Sequence, residues 1–410
     1  MPESIVHGLK GQGLEMDVLT GVPNYPSGRV ADGYSAKRAS VEDRQGVRVR
    51  RTPLFPSHNS SPMKRMANYL SWAVSSTLWG QGALRRSDAA LVYSSPATAA
   101  LPAMVSRVLW RKPYVLLLQD VWPDSIFASG FLGGRSSRAV FKLVDGFVRR
   151  TYAMADHIAV ISPGMVDLLV DRGVSRNKVT VVYNWLPESE PVEVVGREPI
   201  REELGLPGGT RLFLYAGNHG RAQALEGLID AFTDPATAPA HLVLLGDGVS
   251  KPDLVRRSAD SSRIHFLDPV PYPEAIRIGA EADVHVVALA DEPLFAVTMP
   301  SKLQSALASG SPALVVAPGD SADIVTKHGA GFAARPGDAA SIASAVNEFN
   351  ALDHTSLSAM GARGREAYER LMARDIGAGR LAELLRRAAT RRRTKGADAV
   401  TSTDTEKEKP

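Results

Sequence analysis

The segment Thr298-Met-Pro-Ser-Lys-Leu-Gln-Ser-Ala-Leu-Ala-Ser-Gly310 stands just before the apolar run Pro312-Ala-Leu-Val-Val316. Its apolar residues recur at helical spacing. Thr298 can cap a helix, Pro300 suits a first turn, and Gly310 suits the left-handed position after a helix. The pattern predicts a short helix that leads into a buried strand. The N-terminus of such a helix offers unpaired N–H groups, and Lys302 adds a positive charge, so a phosphate group could bind there. Taken alone, a capped helix with a surface lysine is the commoner meaning of this pattern.

Composition limits the classes of protein that the chain can belong to. At 410 residues it exceeds one comfortable hydrophobic core, so two domains are expected. The 48 basic and 44 acidic residues nearly cancel, which argues against nucleic acid as a partner. Cysteine is absent, so disulfides and thiolate metal sites are excluded. Neither a signal-peptide pattern nor an apolar run of about 18 residues is present, and we expect a cytoplasmic protein with at most peripheral contact with the inner face of the membrane.

Apolar runs of strand length alternate with helical patterns along the chain, which predicts βαβ units and parallel sheets. We therefore expect an α/β protein with two Rossmann-like, doubly wound domains that face each other across a ligand-binding cleft. The predicted strands are Glu15–Thr20, Val47–Arg51, Ala89–Tyr93, Tyr114–Leu118, His157–Ile161, Val179–Tyr183, Arg211–Ala216, His241–Leu245, Ile264–Leu267, Val284–Leu289 and Ala313–Val316. The predicted limits are 1–186 for the first domain, 187–209 for a linker, 210–372 for the second domain, 373–395 for a basic helix and 396–410 for a disordered tail.

The beginning of the chain departs from this alternation. Residues 3–13 resemble the end of a helix closed by glycine, and a strand follows directly at Glu15–Thr20. An α/β domain normally places a strand before such a helix. We therefore expect the first domain to lack its first strand; a start codon assigned too late is the favoured explanation, and a degraded protein is the alternative.

The stretch Pro62–Ser87 is a long apolar helical pattern with basic residues at both ends. One interpretation is a helix that lies in the membrane interface, where its basic ends meet anionic lipid. The other is an ordinary core helix of the first domain. The sequence leaves both open.

Glycine-bearing turns follow several predicted strands of the second half. They occur in Leu212-Phe-Leu-Tyr-Ala-Gly217-Asn-His-Gly-Arg-Ala-Gln-Ala-Leu225, in Leu244-Leu-Gly-Asp-Gly248 and at Asp268-Pro-Val270. A strand that ends in a glycine turn lets the backbone approach a phosphate closely. Together with the helix at Pro300, these turns would line one edge of one sheet, which favours a ligand site over independent turns.

These motifs and others occur in a specific order. They are Tyr215-Ala-Gly-Asn-His-Gly220, Gly246-Asp-Gly248, Pro300-Ser-Lys-Leu303 and Ala308-Ser-Gly-Ser-Pro312 in the second half, and Leu19-Thr-Gly-Val-Pro-Asn-Tyr-Pro26, Ser94-Ser-Pro96, Gln119-Asp-Val-Trp-Pro-Asp124, Ser162-Pro-Gly-Met165 and Tyr183-Asn-Trp185 in the first. The combination resembles the retaining GT-B glycosyltransferases, and among them the bacterial polysaccharide transferases similar to the fucosaminyl transferase of O-antigen synthesis. The resemblance runs from about Gly11 to Leu371.

The resemblance implies an activity and a set of site residues. The second domain would bind a nucleotide diphosphate sugar, the first a polyprenyl-linked or glycan acceptor, and transfer would retain configuration without a metal ion or another cofactor. Lys302 and Arg221 would stabilise the leaving diphosphate, and Asp120 would orient the acceptor hydroxyl or the donor sugar. The implied substrate-binding residues are Gly217, Asn218, His219, Gly220, Gly246, Gly248, Val270, Met299, Pro300, Ser301, Ser305, Trp122 and Asn184.

Several positions depart from the pattern of the family. Ser305 stands where many relatives carry a glutamate that binds the ribose, so ribose binding would be weaker or water-mediated. Gln119 replaces a histidine found before the aspartate, and Asn218 and Gln223 replace an arginine and a lysine found on the diphosphate in some relatives. The electrostatic role would therefore fall on Lys302 and Arg221.

The leading hypothesis is a glycosyltransferase that moves a sugar, most simply from a UDP-sugar, to a polyprenyl-linked or polysaccharide acceptor during synthesis of O-antigen, capsule or a similar surface glycan. One alternative is a non-catalytic nucleotide-sugar-binding scaffold protein, which the incomplete start and Ser305 would explain. A second is a GT-B-like nucleotide-sugar epimerase, against which the Trp122-Pro-Asp124 segment argues.

Overall fold

The computed structural model describes residues 1–24, 28–57, 62–124, 136–186, 199–207 and 209–404. The predicted linker at 187–209 therefore lies largely outside the described residues, as does the end of the predicted tail at 405–410. The chain divides into two compact units. The N-terminal unit consists of Pro2–Ile161, Met165–Val182 and Gly377–Pro410, and the C-terminal unit of Met1, Ser162–Gly164 and Tyr183–Ile376.

The N-terminal unit contains seven described strands in two sheets. The strands are β1 (Asp17–Gly21), β2 (Ser40–Arg44), β3 (Val47–Thr52), β4 (Ala90–Ser94), β5 (Tyr114–Leu118), β6 (His157–Val160) and β7 (Val179–Val181). One sheet has the order β1-β3-β2, with β1 parallel and β2 antiparallel to β3. The other is parallel throughout, with the order β4-β5-β6-β7. All five residues of β5 are buried, as expected for a parallel strand covered on both faces.

Helices surround these two sheets. They are α1 (Pro2–Gly11), α2 (Pro62–Arg86), α3 (Leu101–Trp110), α4 (Ser136–Met154), α5 (Pro163–Asp171) and the terminal α15 (Arg374–Asp404), with short 3-10 turns at Ala97–Ala100 and Arg176–Lys178. The terminal helix α15 spans the segment for which a basic helix is predicted and continues past residue 395 to Asp404, into the stretch predicted to be a disordered tail. From Gly377 onward α15 belongs to the N-terminal unit, because it buries apolar residues such as Leu381 and Leu385 and because Arg380 donates to the carbonyl of Val181.

The C-terminal unit contains one parallel sheet of the order β10-β9-β8-β11-β12-β13. Its strands are β8 (Leu212–Ala216), β9 (His241–Leu245), β10 (Ile264–Leu267), β11 (Val284–Ala288), β12 (Ala313–Val316) and β13 (Gly331–Ala334). Its helices are α6 (Ile200–Glu203), α7 (Glu226–Thr233), α8 (Lys251–Arg257), α9 (Tyr272–Glu281), α10 (Pro293–Ala296), α11 (Ser301–Ser309), α12 (Asp320–His328), α13 (Ala339–Asn350) and α14 (His354–Leu371). Buried side chains form a larger core cluster that includes Phe213 and Phe232 and a smaller one that includes Leu214 and Ile278.

Both units alternate strands with helices around parallel sheets, so the predicted α/β class with two Rossmann-like domains is confirmed. The sequence did not predict β2 or β13. The strand β2 is a charged edge strand, and a tight turn at Gln45 and Gly46, both with positive φ, joins it to β3. The strand β13 is short and rich in glycine and alanine, which have low β-propensity.

The helix predicted before β12 is α11. Gly310 follows it in the left-handed conformation, with φ of 74°, as predicted. Pro300 is the N-cap residue and not part of the first turn. Thr298 does not cap the helix, because its hydroxyl donates instead to the carbonyl of Leu294 at 2.8 Å.

Candidate functional site

Three neighbouring strands of the C-terminal sheet, β8, β9 and β10, place their carboxyl ends side by side. The amide of Gly217 donates to the carbonyl of Leu245 at 2.8 Å, and the amide of Gly246 donates to the carbonyl of Leu267 at 3.1 Å. A β-carbon on Gly246 would overlap the carbonyl oxygen of Gly217, and φ is 137° at Gly246 and 141° at Gly217. Only glycine fits at both positions. The backbone therefore forms a close-packed platform at this edge, as the glycine turns predicted.

Lys302 lies in the first turn of α11 and extends over this platform. A β-carbon built on Gly217 would lie 2.7 Å from Lys302 Nζ, and Nζ is 5.3 Å from the centre of the Tyr215 ring. Burial lowers the pKa of the Lys302 ammonium. In the described part of the chain no carboxylate pairs with it. A partly desolvated cation without a counterion is a strong attractor for an anionic ligand.

The N-terminus of α11 adds to this attraction. No side chain caps the helix, and its first internal bonds come from the amides of Leu303 and Gln304, which donate to the carbonyl of Pro300. The amides of Ser301 and Lys302 have no acceptor among the described residues. Free N–H groups and the positive end of the helix dipole therefore stand beside the lysine charge.

The segment that leads into α11 is held in place by two serines. Ser162 donates to the carbonyl of Val297 at 2.7 Å, and Ser321 donates to the carbonyl of Thr298 at 2.9 Å. Met299, next in the chain, is buried. These bonds fix the direction of the helix start, so Lys302 is presented from a rigid support.

The turn after β8 contains Asn218, His219, Gly220 and Arg221, all predicted to lie in the site. His219 is completely buried, and its ring nitrogens have no hydrogen-bond partner within the described residues. Burial, then the charge of Lys251, lowers the pKa of His219. The ring therefore does not reach a ligand in this structure, and only the backbone of His219 remains a candidate for binding.

Asn218 and Arg221 of this turn are closer to solvent. The exposed side chain of Asn218 donates to Gln223 at 3.3 Å, and the amide of Gly220 donates to the same Gln223 oxygen at 3.1 Å. Arg221 begins a 3-10 turn, is exposed, and has no side-chain partner in the described ranges. An exposed guanidinium without a partner is free to contact a ligand. The helix that follows this turn, α7, begins at Glu226.

Sequence reasoning missed Lys251, the first residue of α8. Its ammonium donates to the carbonyl of Gly246 at 3.0 Å and to Asp268 at 2.8 Å, so it ties together the ends of β9 and β10. The bond with Lys251 lowers the pKa of Asp268. The signal was present, because Lys251 follows a glycine turn and, like Lys302, lies in the first turn of a helix. Gly248, three positions before Lys251, is required because a β-carbon there would overlap the carbonyl oxygen of His219.

Two further predicted residues lie on neighbouring elements of this unit. Val270 is half-buried, and its side chain packs against the cluster that contains Ile278. Ser305 is half-buried on α11, one position after Gln304, whose side-chain nitrogen is buried without a partner among the described residues. The structure thus brings the phosphate-side candidates together within the C-terminal unit, and Asn184 belongs to the same unit.

Asp120 and Trp122 belong to the N-terminal unit. Asp120 is exposed and accepts a hydrogen bond from the hydroxyl of Ser95 at 2.7 Å. Burial, with a contribution from the Asp120 charge, raises the pKa of the Tyr93 hydroxyl. Trp122 is buried, and its ring centre is 6.1 Å from that of Tyr69. Asp120 therefore presents an oriented carboxylate, while the ring of Trp122 packs within its own unit.

Among the described residues, no group of three or more His, Asp or Glu side chains is arranged to hold a metal ion. No described helix combines the length and the apolar character needed to cross a bilayer.

Comparisons with known proteins agree with this geometry. Residues 2–185 match the glycosyl transferase 4-like domain, and residues 210–350 match the glycosyl transferases group 1 domain. The chain is 28% identical over 321 residues to WcaI of Escherichia coli K12, whose name assigns it to colanic acid biosynthesis as a glycosyl transferase; the match covers 76% of this chain and 78% of that one.

Solved structures show the same fold. Sucrose-phosphate synthase of Thermosynechococcus elongatus is similar with a TM-score of 0.64 and 17% identity, over 93% of this chain and 91% of that one. HepE of Anabaena, solved with UDP-glucose, has a TM-score of 0.57 and 17% identity, over 79% of this chain and 83% of that one. Since glycosyltransferase domain models match both halves and the described units have the corresponding fold, the chain belongs to the GT-B glycosyltransferases.

Proposed function

We propose that this protein is a retaining glycosyltransferase that moves a sugar from a UDP-sugar to a polyprenyl-linked or polysaccharide acceptor in the synthesis of a bacterial surface glycan. The observation that carries the proposal is Lys302, which is partly buried and unpaired in the described part of the chain, at the open N-terminus of α11 and above the glycine platform. A diphosphate is the ligand that this arrangement suits best.

Catalysis would follow from the same charges. When the bond between the sugar and the diphosphate breaks, negative charge grows on the departing phosphate oxygens. Lys302, the amides of Ser301 and Lys302, and the guanidinium of Arg221 are donors that would bind this charge more strongly in the transition state than in the ground state. The UDP-glucose complex of HepE supports uridine as the base.

Asp120 is the proposed acceptor-side residue. Its bond with Ser95 leaves a second carboxylate oxygen to receive a hydrogen bond from the acceptor hydroxyl or the donor sugar. Asn184 and the backbone near Val270 would contribute further contacts to the donor. Retention of configuration is proposed from the resemblance to retaining transferases.

The membrane part of the proposal rests on α2. One face of this helix packs against β1, β3 and α3. Another exposes large apolar side chains at spacings of seven and four residues, with Met63 83%, Leu70 49%, Val74 53% and Leu78 68% exposed, and Arg85 and Arg86 close the helix. The helix therefore serves the core, as one interpretation of its sequence expects, and the apolar surface that it also presents supports the membrane interpretation as a proposal. An apolar stripe with basic ends suits an anionic membrane interface, where a lipid-linked acceptor would be found. The name of WcaI supports a surface-glycan pathway.

A donor and acceptor screen tests the function. Nucleoside diphosphate release is measured from a panel of uridine and guanosine diphosphate sugars, with and without bacterial lipid extract, and the product anomer is determined by NMR. We expect release that depends on one UDP-sugar and on lipid, with the anomeric configuration of the donor retained. UDP binding without release from any pair would instead support the scaffold alternative. An isomeric nucleotide sugar formed without acceptor would support the epimerase alternative.

A further inference from the structure

Asp120 belongs to a short connection, residues 120–124, that follows β5 in the N-terminal unit. The strand ends at Leu118, so the connection lies beyond the sheet ladder. Val121 and Trp122 are buried, whereas Asp120 is exposed. The direction of the Asp120 carboxylate therefore depends on what holds the backbone of residues 120–124.

The guanidinium of Arg172 holds this backbone beyond Asp120. One of its terminal nitrogens donates to the carbonyl of Trp122 at 3.2 Å, and the other donates to the carboxylate of Asp124 at 2.6 Å. These acceptors lie two and four positions after Asp120. A guanidinium is a rigid planar fork, so it fixes the two acceptors relative to each other.

The surroundings of Arg172 strengthen this contact. The Arg172 side chain is only 16% exposed, and Asp124 is 42% exposed. Tyr152 is buried close by, because the charges of Arg172 and Asp124 act on its hydroxyl in opposite directions while burial raises its pKa. Water and salt therefore screen the pair less than they screen an ion pair on the open surface.

Arg172 is itself firmly supported. It directly follows α5, and its amide donates to the carbonyl of Leu168 in that helix at 3.3 Å. Its carbonyl accepts a hydrogen bond from the guanidinium of Arg149 on α4 at 3.4 Å, and Arg149 is in turn bound to Asp145 at 2.7 Å. A continuous set of bonds thus connects two helices to residues 120–124.

The contact of Arg172 complements the bond between Ser95 and Asp120. The hydroxyl of Ser95, which follows β4, holds the Asp120 carboxylate itself. Arg172 holds the backbone on the far side of the same residue. Asp120 is thus fixed from two directions, as a group that must meet a substrate hydroxyl in one orientation requires.

We propose that Arg172 is a positioning residue for the sugar transfer, which acts through Asp120 and does not touch the substrate. Its guanidinium keeps residues 120–124 in the conformation that directs the Asp120 carboxylate at the reacting hydroxyl. This inference rests on the proposed function, in which Asp120 receives a hydrogen bond from the acceptor or the donor sugar.

Hydrogen exchange without substrate tests the structural part of this inference. We expect the amides of residues 120–122 to exchange roughly tenfold faster in Arg172→Ala than in the unaltered protein, while those of β5 keep their protection and show that the unit is folded. The matched control is Arg176→Ala. It breaks the ion pair with Asp167, whose partners are 67% and 76% exposed, and should leave residues 120–122 unchanged.

Turnover tests the functional part. Arg172→Ala should lower the rate of nucleoside diphosphate release by roughly ten- to hundredfold at a nearly unchanged KM for the donor, because the carboxylate is misdirected. In the Asp120→Asn protein the same change should cause almost no further loss, since its effect passes through that carboxylate. Arg172→Lys should lie between, because it keeps the charge but not the fork.

Three results would overturn the inference. They are unchanged exchange at residues 120–122 in Arg172→Ala, unchanged turnover of that variant, and an equal loss of turnover with and without the Asp120 carboxylate. If the unaltered protein released nucleoside diphosphate from no donor, the proposed function would be contradicted instead. The exchange comparison would then still decide whether Arg172 holds residues 120–124.

Discussion

Gly217 and Lys302 fit together only because residue 217 has no side chain. A β-carbon on Gly217 would overlap Cε of Lys302 and lie 2.7 Å from Nζ. The lysine stem therefore runs across the bare backbone at the end of β8, and the same glycine that shapes the turn also makes room for the cation. The glycine turn at the end of β8 and the positive charge of Lys302 therefore depend on each other in the C-terminal unit.

This relationship makes Gly217→Ala a specific probe. We expect it to destabilise the protein by roughly 1–3 kcal/mol, because the new methyl group displaces Lys302 and strains a backbone with positive φ. In the double variant with Lys302→Ala the overlap is gone, so the two losses should not add; denaturant unfolding of all four proteins measures the difference. Gly337→Ala is the matched control, since its φ is also positive but nothing lies within 4 Å. Additive losses would show that the lysine stem does not occupy the space over Gly217.

Lys302→Ala should lower turnover by about a hundredfold or more, because the donor that stabilises the departing phosphate is removed. Lys327→Ala, at an exposed lysine on α12 of the same unit, should leave turnover unchanged. Initial rates of nucleoside diphosphate release compare the variants. A rate for Lys302→Ala equal to that of Lys327→Ala would remove Lys302 from the site.

Asp120→Asn should lower turnover by roughly a hundredfold. The amide is neutral, and it has one acceptor oxygen where the carboxylate has two. Ser95→Ala should have a smaller effect, since it frees the carboxylate of Asp120 without removing it. The exposed carboxylate of Asp171 on α5 provides the matched control, Asp171→Asn. If Ser95→Ala proved more harmful than Asp120→Asn, the serine hydroxyl and not the carboxylate would be the functional group.

Stability should fall as the pH is lowered from about 7.5 to 5.5. Burial lowers the pKa values of His219, His241, His265 and His285 below the ordinary histidine value. The unfolded chain then binds protons at a higher pH than the folded protein does, so stability is greatest above the unfolded pKa and declines as the pH falls through it. Thermal unfolding across this range measures the decline.

The stacked pair His241 and His265 offers a separate test of this pH effect. Their ring nitrogens Nδ1 and Nε2 are 3.0 Å apart, and two protonated rings would repel each other. His265→Gln should therefore make the decline of stability with falling pH shallower. The same change at the half-buried His328, near a helix end, should alter this decline less. An unchanged slope in His265→Gln would show that this pair does not contribute.

Val74→Ser together with Leu78→Ser should weaken binding to anionic vesicles by roughly tenfold or more, because two exposed apolar side chains are lost from the same face of α2. Co-sedimentation with vesicles of phosphatidylglycerol and phosphatidylethanolamine gives the affinity. Val255→Ser, at an exposed apolar residue of the C-terminal unit, is the control. Equal binding of all three proteins would exclude this face of α2 from the membrane contact.

Several features followed directly from sequence, since local pattern determines them. Continuous apolar runs such as Tyr114–Leu118 and His241–Leu245 became fully or largely buried parallel strands at the predicted positions. Gly310 took the left-handed conformation that its place after α11 required. The charged edge strand β2 carried no such pattern and was missed.

Other features depend on contacts that sequence spacing does not reveal. His219 stands beside exposed residues in the sequence, yet tertiary packing between Tyr215 and Phe266 buries its ring. The tie that Lys251 makes between two strand ends depends on the order of strands in the sheet. The bond between Ser95 and Asp120 joins residues 25 positions apart. The sequence pattern thus predicted where the strands end. The roles of individual side chains could be assigned only from the tertiary structure.

The chain passes between its two units several times, since Ser162–Gly164 belong to the C-terminal unit and Gly377 onward returns to the N-terminal unit. During synthesis on the ribosome, the N-terminal unit would therefore remain without α15 until roughly 190 further residues have been made. At ordinary synthesis rates this takes about 10–40 s. Cutting the gene at the middle of the chain would remove α15 from the first product, including the bonds of Arg380 with Val181 and of Arg386 with Gln12. The N-terminal half expressed alone should then aggregate or be degraded, and co-expression of the segment from residue 377 should rescue it.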